Sequence, residues 1–271
     1  MKRKIGVCTW IFGAIELVSL ADIIAAMEFD GVELYVDFER ISAREVKEIF
    51  ADRGLEIFSL TPINVDLASS DRTNRNKAID YYKKAIDYGA ELGQPIIVCH
   101  EYIHKQFNNV YLGSLELLVK ACQEIASYAE QANLKLGFEP LNRYLCRFIL
   151  TSTDALNLLT QINASNMTIV LDAFHMNIEE SDPVKAITQC GDRLSLYQIA
   201  DSNRQGIGLG HTDFNSHLVA LDAINYTGAI VLEPAGIRQT PCSSEQVNLD
   251  EIKFHLQTSK DWLLNRTKAL V

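Results

Sequence analysis

The stretch MTIVLDAF, residues 167–174, is an apolar run that ends on a carboxylate, Asp172. Burying a bare charge is costly, so an acid closing a core strand needs a partner. Seven further runs have the same character: KIGVCTW (4–10), GVELYV (31–36), EIFSLTP (56–62), PIIVCHE (95–101), LKLGFEP (134–140), LSLYQIA (194–200) and GAIVLEP (228–234). Helical periodicity fills the gaps, as in SAREVKEIFADRG, NRNKAIDYYKKAIDYGAELG and SLELLVKACQEIASYAEQAN. Near-continuous apolar strands alternating with helices predict a parallel sheet covered by helices. Eight such units without a composition break, in 271 residues, predict one (β/α)8 TIM barrel over residues 1–271, since that fold takes about 250 residues. A doubly wound open sheet is the alternative. It usually carries a glycine-rich loop after strand one, and CTWIFGAIEL has one glycine there.

Local signals agree with the helices. Ser42 and Glu45 stand at the capping-box offset. Gly54 and Gly93 fall where helix stops are expected. Asp182-Pro183 reads as an N-cap followed by proline at the first helical position.

Barrel active sites lie at the C-terminal face, where several strand ends converge. Those ends here are Glu139, Asp172 and Glu233, with Gln198 inside strand seven, spaced 33, 26 and 35 residues apart. Three carboxylates at one mouth would repel, which raises their pKa values or demands a cation. A divalent metal held by Glu139, Asp172, Gln198 and Glu233 satisfies that demand. Oxygen donors favour Mn²⁺ or Mg²⁺, with Co²⁺ or Zn²⁺ also admissible. Each acid taken singly could equally pair with an arginine, and Gln198 could bond to backbone. Trp10 and Phe12, just past strand one, are candidate walls of the pocket, and Arg143 is a candidate partner for Glu139 or Asp172.

Net charge is −10 with a pI near 5.1, which disfavours a nucleic-acid partner. The start, MKRKIGVCTWIFGAIELVSLA, resembles a leader peptide superficially, but Glu16 interrupts its apolar stretch. With no long uncharged apolar run for a membrane span, a cytoplasmic protein is expected. The six cysteines form no CxxC pair and read as buried free thiols.

FDGVEL, GFEPLNRY, LDAFHMNIEE, ADSNRQGIGLGHTDF and VLEP together resemble the sugar isomerase/epimerase family with the xylose isomerase-like barrel. The similarity to its ketose 3-epimerase branch runs over nearly the whole chain. It implies that Glu139, Asp172 and Glu233 bind metal, and that Glu139 and Glu233 also move protons through an enediolate. It further implies that His175 and Arg204 contact a sugar substrate. Two positions depart from the pattern. Gln198 replaces the family's metal-binding histidine, although the related hydroxypyruvate isomerase branch carries glutamine there as a ligand. Leu145 replaces a glutamate that touches the sugar, which implies altered substrate recognition.

The resemblance leaves competing functions. These are a hydroxypyruvate-isomerase-like enzyme, a sugar-binding descendant without catalysis, and an AP-endonuclease-like nuclease. The last needs many histidine ligands, and His104, His217 and His255 fall in loop or helix patterns. A homo-oligomer, dimer or tetramer, is compatible with the sequence.

Overall fold

The computed structural model describes residues 3–35, 38–102, 113–235 and 247–268. Eight parallel strands close into a barrel in chain order: β1 (Ile5–Cys8), β2 (Gly31–Leu34), β3 (Glu56–Leu60), β4 (Ile96–Cys99), β5 (Leu136–Phe138), β6 (Met167–Asp172), β7 (Leu194–Ile199) and β8 (Ile230–Leu232). β1 shuts the ring against β8, with Ile5 beside Ile230 and Val7 beside Leu232. The helices between them are α1 (Leu17–Ala26), α2 (Ala43–Ala51), α3 (Arg72–Leu92), α4 (Leu115–Gln131), α5 (Ser152–Ile162), α6 (Ala173–Glu179), α7 (Pro183–Cys190) and α8 (Phe214–Ala223), and α9 (Leu249–Lys268) follows β8. No helix among the described residues is long and apolar enough to cross a membrane.

The predicted caps form. Ser42 and Glu45 make a reciprocal capping box on α2. Gly93 ends α3 with φ 118°, a left-handed geometry that favours glycine. Asp182 caps α7 ahead of Pro183. Glu16 is itself an N-cap, accepting the Val18 and Ser19 N–H groups of α1. Five cysteines, Cys8, Cys99, Cys122, Cys146 and Cys190, are buried and free. Cys242 and His104 lie outside the described residues.

Side chains alternate along a strand. Glu139, Asp172, Gln198 and Glu233 therefore share a face with Gly137, Val170, Leu196 and Val231, two residues earlier. Gln198 on β7 bonds to Glu33 on β2, across the barrel, so that face is the interior. An aromatic ring helps to fill the lower interior. A Cβ at Gly6 would lie 2.6 Å from the Phe58 ring, and one at Gly31 2.7 Å from it. Two missing side chains make room for Phe58 beneath the polar layer.

Every strand ends one or two residues before its apolar run does, and at two of them the chain turns straight into a helix. β1 stops at Cys8, and Thr9–Phe12 turns into a short 3-10 helix. β6 stops at Asp172, which then caps α6 by accepting the Phe174 N–H. Both endings bring side chains over the barrel mouth.

Candidate active site

A cavity of about 570 Å³ opens at the C-terminal end of the strands, lined by Trp10, Glu139, Asn142, His175, Arg204 and Glu233 among others. Its size falls within the roughly 300–1,000 Å³ of small-molecule sites. A depression of about 600 Å³ around Lys4, Glu56 and Gln94 lies at the opposite end, away from the clustered carboxylates.

The strand-end acids meet there. Asp172 accepts from Arg204 Nη1 through Oδ2 at 2.6 Å, and Glu233 Oε2 lies 3.1 Å from Arg204 Nη2. Arg204 thus bridges β6 and β8 while its guanidinium sits 4.7 Å from the Phe174 ring centre and 5.8 Å from that of Trp10. Trp10 Nε1 donates to Glu233 Oε1 at 2.5 Å. Asp201, at the end of β7, fixes the loop bearing Arg204. Its carboxylate accepts the Ser202, Gly208 and Thr212 N–H groups.

His175 has a defined orientation. Asn142 Oδ1 accepts the Tyr144 N–H at 3.0 Å, which directs Asn142 Nδ2 to His175 Nδ1 at 2.8 Å. An amide nitrogen only donates, so Nδ1 accepts and the ring proton resides on Nε2. That Nε2 faces Asp172 Oδ2 at 3.5 Å and Glu139 Oε1 at 3.8 Å.

Gln198 Nε2 donates to Glu33 Oε1 at 2.9 Å, while Gln198 Oε1 is buried with no hydrogen-bond partner among the described residues. Glu33 also accepts from Ser59 Oγ at 2.7 Å and Cys8 Sγ at 3.2 Å. Among the described residues, two separate groups have ligating atoms mutually within 4.8 Å: Glu139, Asp172 and His175, and Cys8, Glu33 and Glu233.

A family model described as a xylose isomerase-like TIM barrel matches residues 21–257. The chain belongs to that family. An L-ribulose 3-epimerase from Methylomonas sp. (strain DH-1) is 37% identical over 115 residues, 42% of this chain. The chain spans only 40% of the length of that relative. A ketose 3-epimerase from Arthrobacter globiformis is 29% identical over 210 residues, covering 76% of this chain and 73% of that protein. The structure of D-psicose 3-epimerase with D-tagatose from Clostridium cellulolyticum H10 superposes with a TM-score of 0.86 at 22% identity, covering 97% of this chain and 98% of that one, a likeness of fold.

In this xylose isomerase-like barrel, the carboxyl groups of Glu33, Glu139, Asp172 and Glu233 are all buried, and Arg204 pairs with Asp172 and Glu233. Burial pushes the Glu139 carboxyl well above its ordinary pKa, and the charges of Glu233, Asp172 and Glu33 add to the rise. Burial likewise raises Glu233, against the pull of Arg204, to about 8. Glu33 is raised chiefly by burial. His175 is lowered to about 4 by burial, which leaves a neutral ring near pH 7. Burial opposes the Arg204 charge, but Glu233 and Asp172 outweigh it and hold the guanidinium protonated.

Ionising all of these crowded carboxyl groups demands more positive charge than Arg204 supplies, and that demand, with the Gln198 oxygen that has no hydrogen-bond partner among the described residues, fits a divalent cation. Glu139, Asp172, Gln198 and Glu233 would hold it, with Arg204 yielding its contacts to two of them.

The structure brings together Glu139, Asp172, His175, Gln198, Arg204, Glu233 and Trp10. Phe12 is instead enclosed in the core and does not line the cavity. Arg143 pairs with Glu179 on α6, at 2.9 Å, rather than with Glu139 or Asp172. His211 is exposed in its loop, and His217 is buried against the Tyr197 hydroxyl. Sequence reasoning missed Glu33 and Asn142. Glu33 had a signal, a lone acid within the apolar run GVEL.

Proposed function

We propose that this chain is a divalent-metal-dependent sugar isomerase of the epimerase type, acting on a ketose through an enediolate. The supporting observation is the buried Gln198 Oε1, which has no hydrogen-bond partner among the described residues, in a barrel where buried carboxyl groups outnumber the one guanidinium. The names of the ketose 3-epimerase relatives point the same way. A bound Mn²⁺ or Mg²⁺ supplies Lewis acidity towards developing oxyanion charge.

The remaining chemistry belongs to side chains. Glu139 follows β5 and Glu233 follows β8, on different sides of the mouth. One, ionised, removes the proton beside the ketose carbonyl, and the other, protonated, delivers its own proton to the opposite face. Neutral His175 donates Nε2–H to a substrate oxygen, and Arg204 steadies oxyanion charge on the sugar. Arg204 is the sole lysine or arginine lining the cavity among the described residues, and it is already paired. This favours an unphosphorylated sugar. Leu145 lines the same cavity, so no carboxylate meets the sugar there.

The test is proton exchange. Mn²⁺-loaded protein is incubated with ketopentoses and ketohexoses in deuterated water and followed by NMR. Deuterium at carbon 3 with appearance of the epimer is expected, and Glu139→Gln and Glu233→Gln should each lower turnover by about 10²-fold or more. Absence of exchange across the panel by a folded, metal-loaded protein would overturn the reading. Tight sugar binding with no exchange would mark a binding protein.

A further inference from the structure

We propose that Glu33 is a positioning residue that sets which end of the Gln198 amide faces the carboxylate cluster. The inference rests on the metal reading above. An amide's oxygen and nitrogen are nearly equal in size, so packing alone does not choose between its two orientations; hydrogen-bond partners do. Both Glu33 oxygens act as acceptors here, Oε1 from the Gln198 Nε2–H and Cys8 Sγ and Oε2 from Ser59 Oγ. In the flipped orientation, amide oxygen would meet carboxylate oxygen inside a dry barrel, and the amide nitrogen would turn towards the site. Both side chains are essentially inaccessible, Glu33 at 0% and Gln198 at 1% exposure, so water cannot relieve that mismatch.

Glu33 is itself held from two neighbouring strands. Ser59 on β3 donates to its Oε2, and Cys8 on β1 donates to its Oε1. In the strand register, Cys8 and Ser59 are its direct neighbours on either side. The β2–β3 register shifts just before Glu33, between Val32 and Glu33. Such irregularities commonly re-aim side chains next to active sites. The result is a carboxylate fixed on β2 that orients an amide on β7, across the barrel interior, leaving Gln198 Oε1 free to ligate.

The test uses metal-free protein titrated with Mn²⁺ by calorimetry, with thermal unfolding of the metal-free form as control. Glu33→Met keeps the side-chain length but removes both acceptors. It should weaken Mn²⁺ binding by about 10- to 100-fold, the range for losing a ligand's orienting partner. Glu33→Gln should bind within about threefold of wild type. Its oxygen can accept from Gln198 and Cys8 while its nitrogen donates to Ser59 Oγ. In a Gln198→Ala background, Glu33→Met should cause no further loss.

Three results overturn the proposal: unchanged affinity in Glu33→Met, equal loss in Glu33→Gln, or an equal further loss without Gln198. The second would make Glu33 a charge or a ligand in its own right. If Glu33→Met lacks a cooperative unfolding transition, Glu33→Gln decides, and a loss of tenfold or more refutes. Wild-type protein that binds no Mn²⁺ at all removes the metal reading and this inference with it, an outcome separate from the other three.

Discussion

Neutralising Glu233 should remove a specific pH dependence from the stability of the metal-free protein. Its carboxyl moves from 4.5 to about 8 on folding, with burial as the leading cause. A raised carboxyl holds its proton more tightly in the folded chain. Its stabilising contribution is fully present below the unfolded value and is lost as pH rises through about 8. Between pH 6.5 and pH 8, one group with these values changes stability by roughly 2 kcal/mol. For a chain of this size that is a fall of roughly 4 °C in Tm.

The histidines work in the opposite sense. His100, His175 and His217 are each lowered to about 4, chiefly by burial, so each destabilises the fold as pH falls through 6.5. They are present in wild type and Glu233→Gln alike, so the difference between the two proteins isolates the carboxyl. Removing the Glu233 charge also relieves Glu139, one of whose perturbing charges it is, and this enlarges the difference. The assay is scanning calorimetry of chelator-treated protein at pH 6.5, 7, 7.5 and 8. Wild type should lose roughly 4 °C more than Glu233→Gln across that range. Parallel Tm curves would show that Glu233 ionises in the fold as it does in the unfolded chain, and the account of a strained acidic cluster would fail.

Two further substitutions probe other contacts. Arg204→Met should leave Mn²⁺ affinity unchanged or tighter, because Asp172 and Glu233 lose a competing cation, while turnover falls by about 10²-fold; weaker metal binding by calorimetry would show that Arg204 organises the ligands instead. Asn142→Ala frees His175 Nδ1 and should lower kcat/KM about tenfold with Mn²⁺ affinity intact, and unchanged kinetics would mean that the imidazole needs no orienting partner.

The barrel was legible because its two signals are local. Apolar runs such as MTIVLDAF and the caps at Ser42 and Asp182 depend on residues a few positions apart. The strand ends were less so. Apolar and aromatic side chains continue past Cys8 and Asp172, so pattern alone extends β1 to Trp10 and β6 to Phe174. Backbone geometry decides otherwise. The chain coils into a 3-10 turn over Thr9–Phe12, and Asp172 turns its carboxylate to the Phe174 N–H. That shortening carries Trp10 over the cavity and Phe12 into the core.

The site was legible only where a barrel rule converts position into proximity. Glu139, Asp172, Gln198 and Glu233 end consecutive strands, and closure of the ring brings them together whatever the loops do. Glu33 obeys the same geometry, but its strand is buried on both faces, so neither alternation nor hydropathy tells which way its carboxylate points. Its role depends on contacts 25, 26 and 165 residues away, to Cys8, Ser59 and Gln198. Arg143 fails for a related reason. Proximity in sequence suggested Glu139, yet α6, a helix the pattern hides inside a strand ending, presents Glu179 to its guanidinium and backbone N–H. Arg204 shows the converse. Its backbone is left-handed, φ 64°, in a turn held by Asp201. That turn directs one cation between two acids, so the charge left over in the barrel follows from loop geometry as much as from the strands.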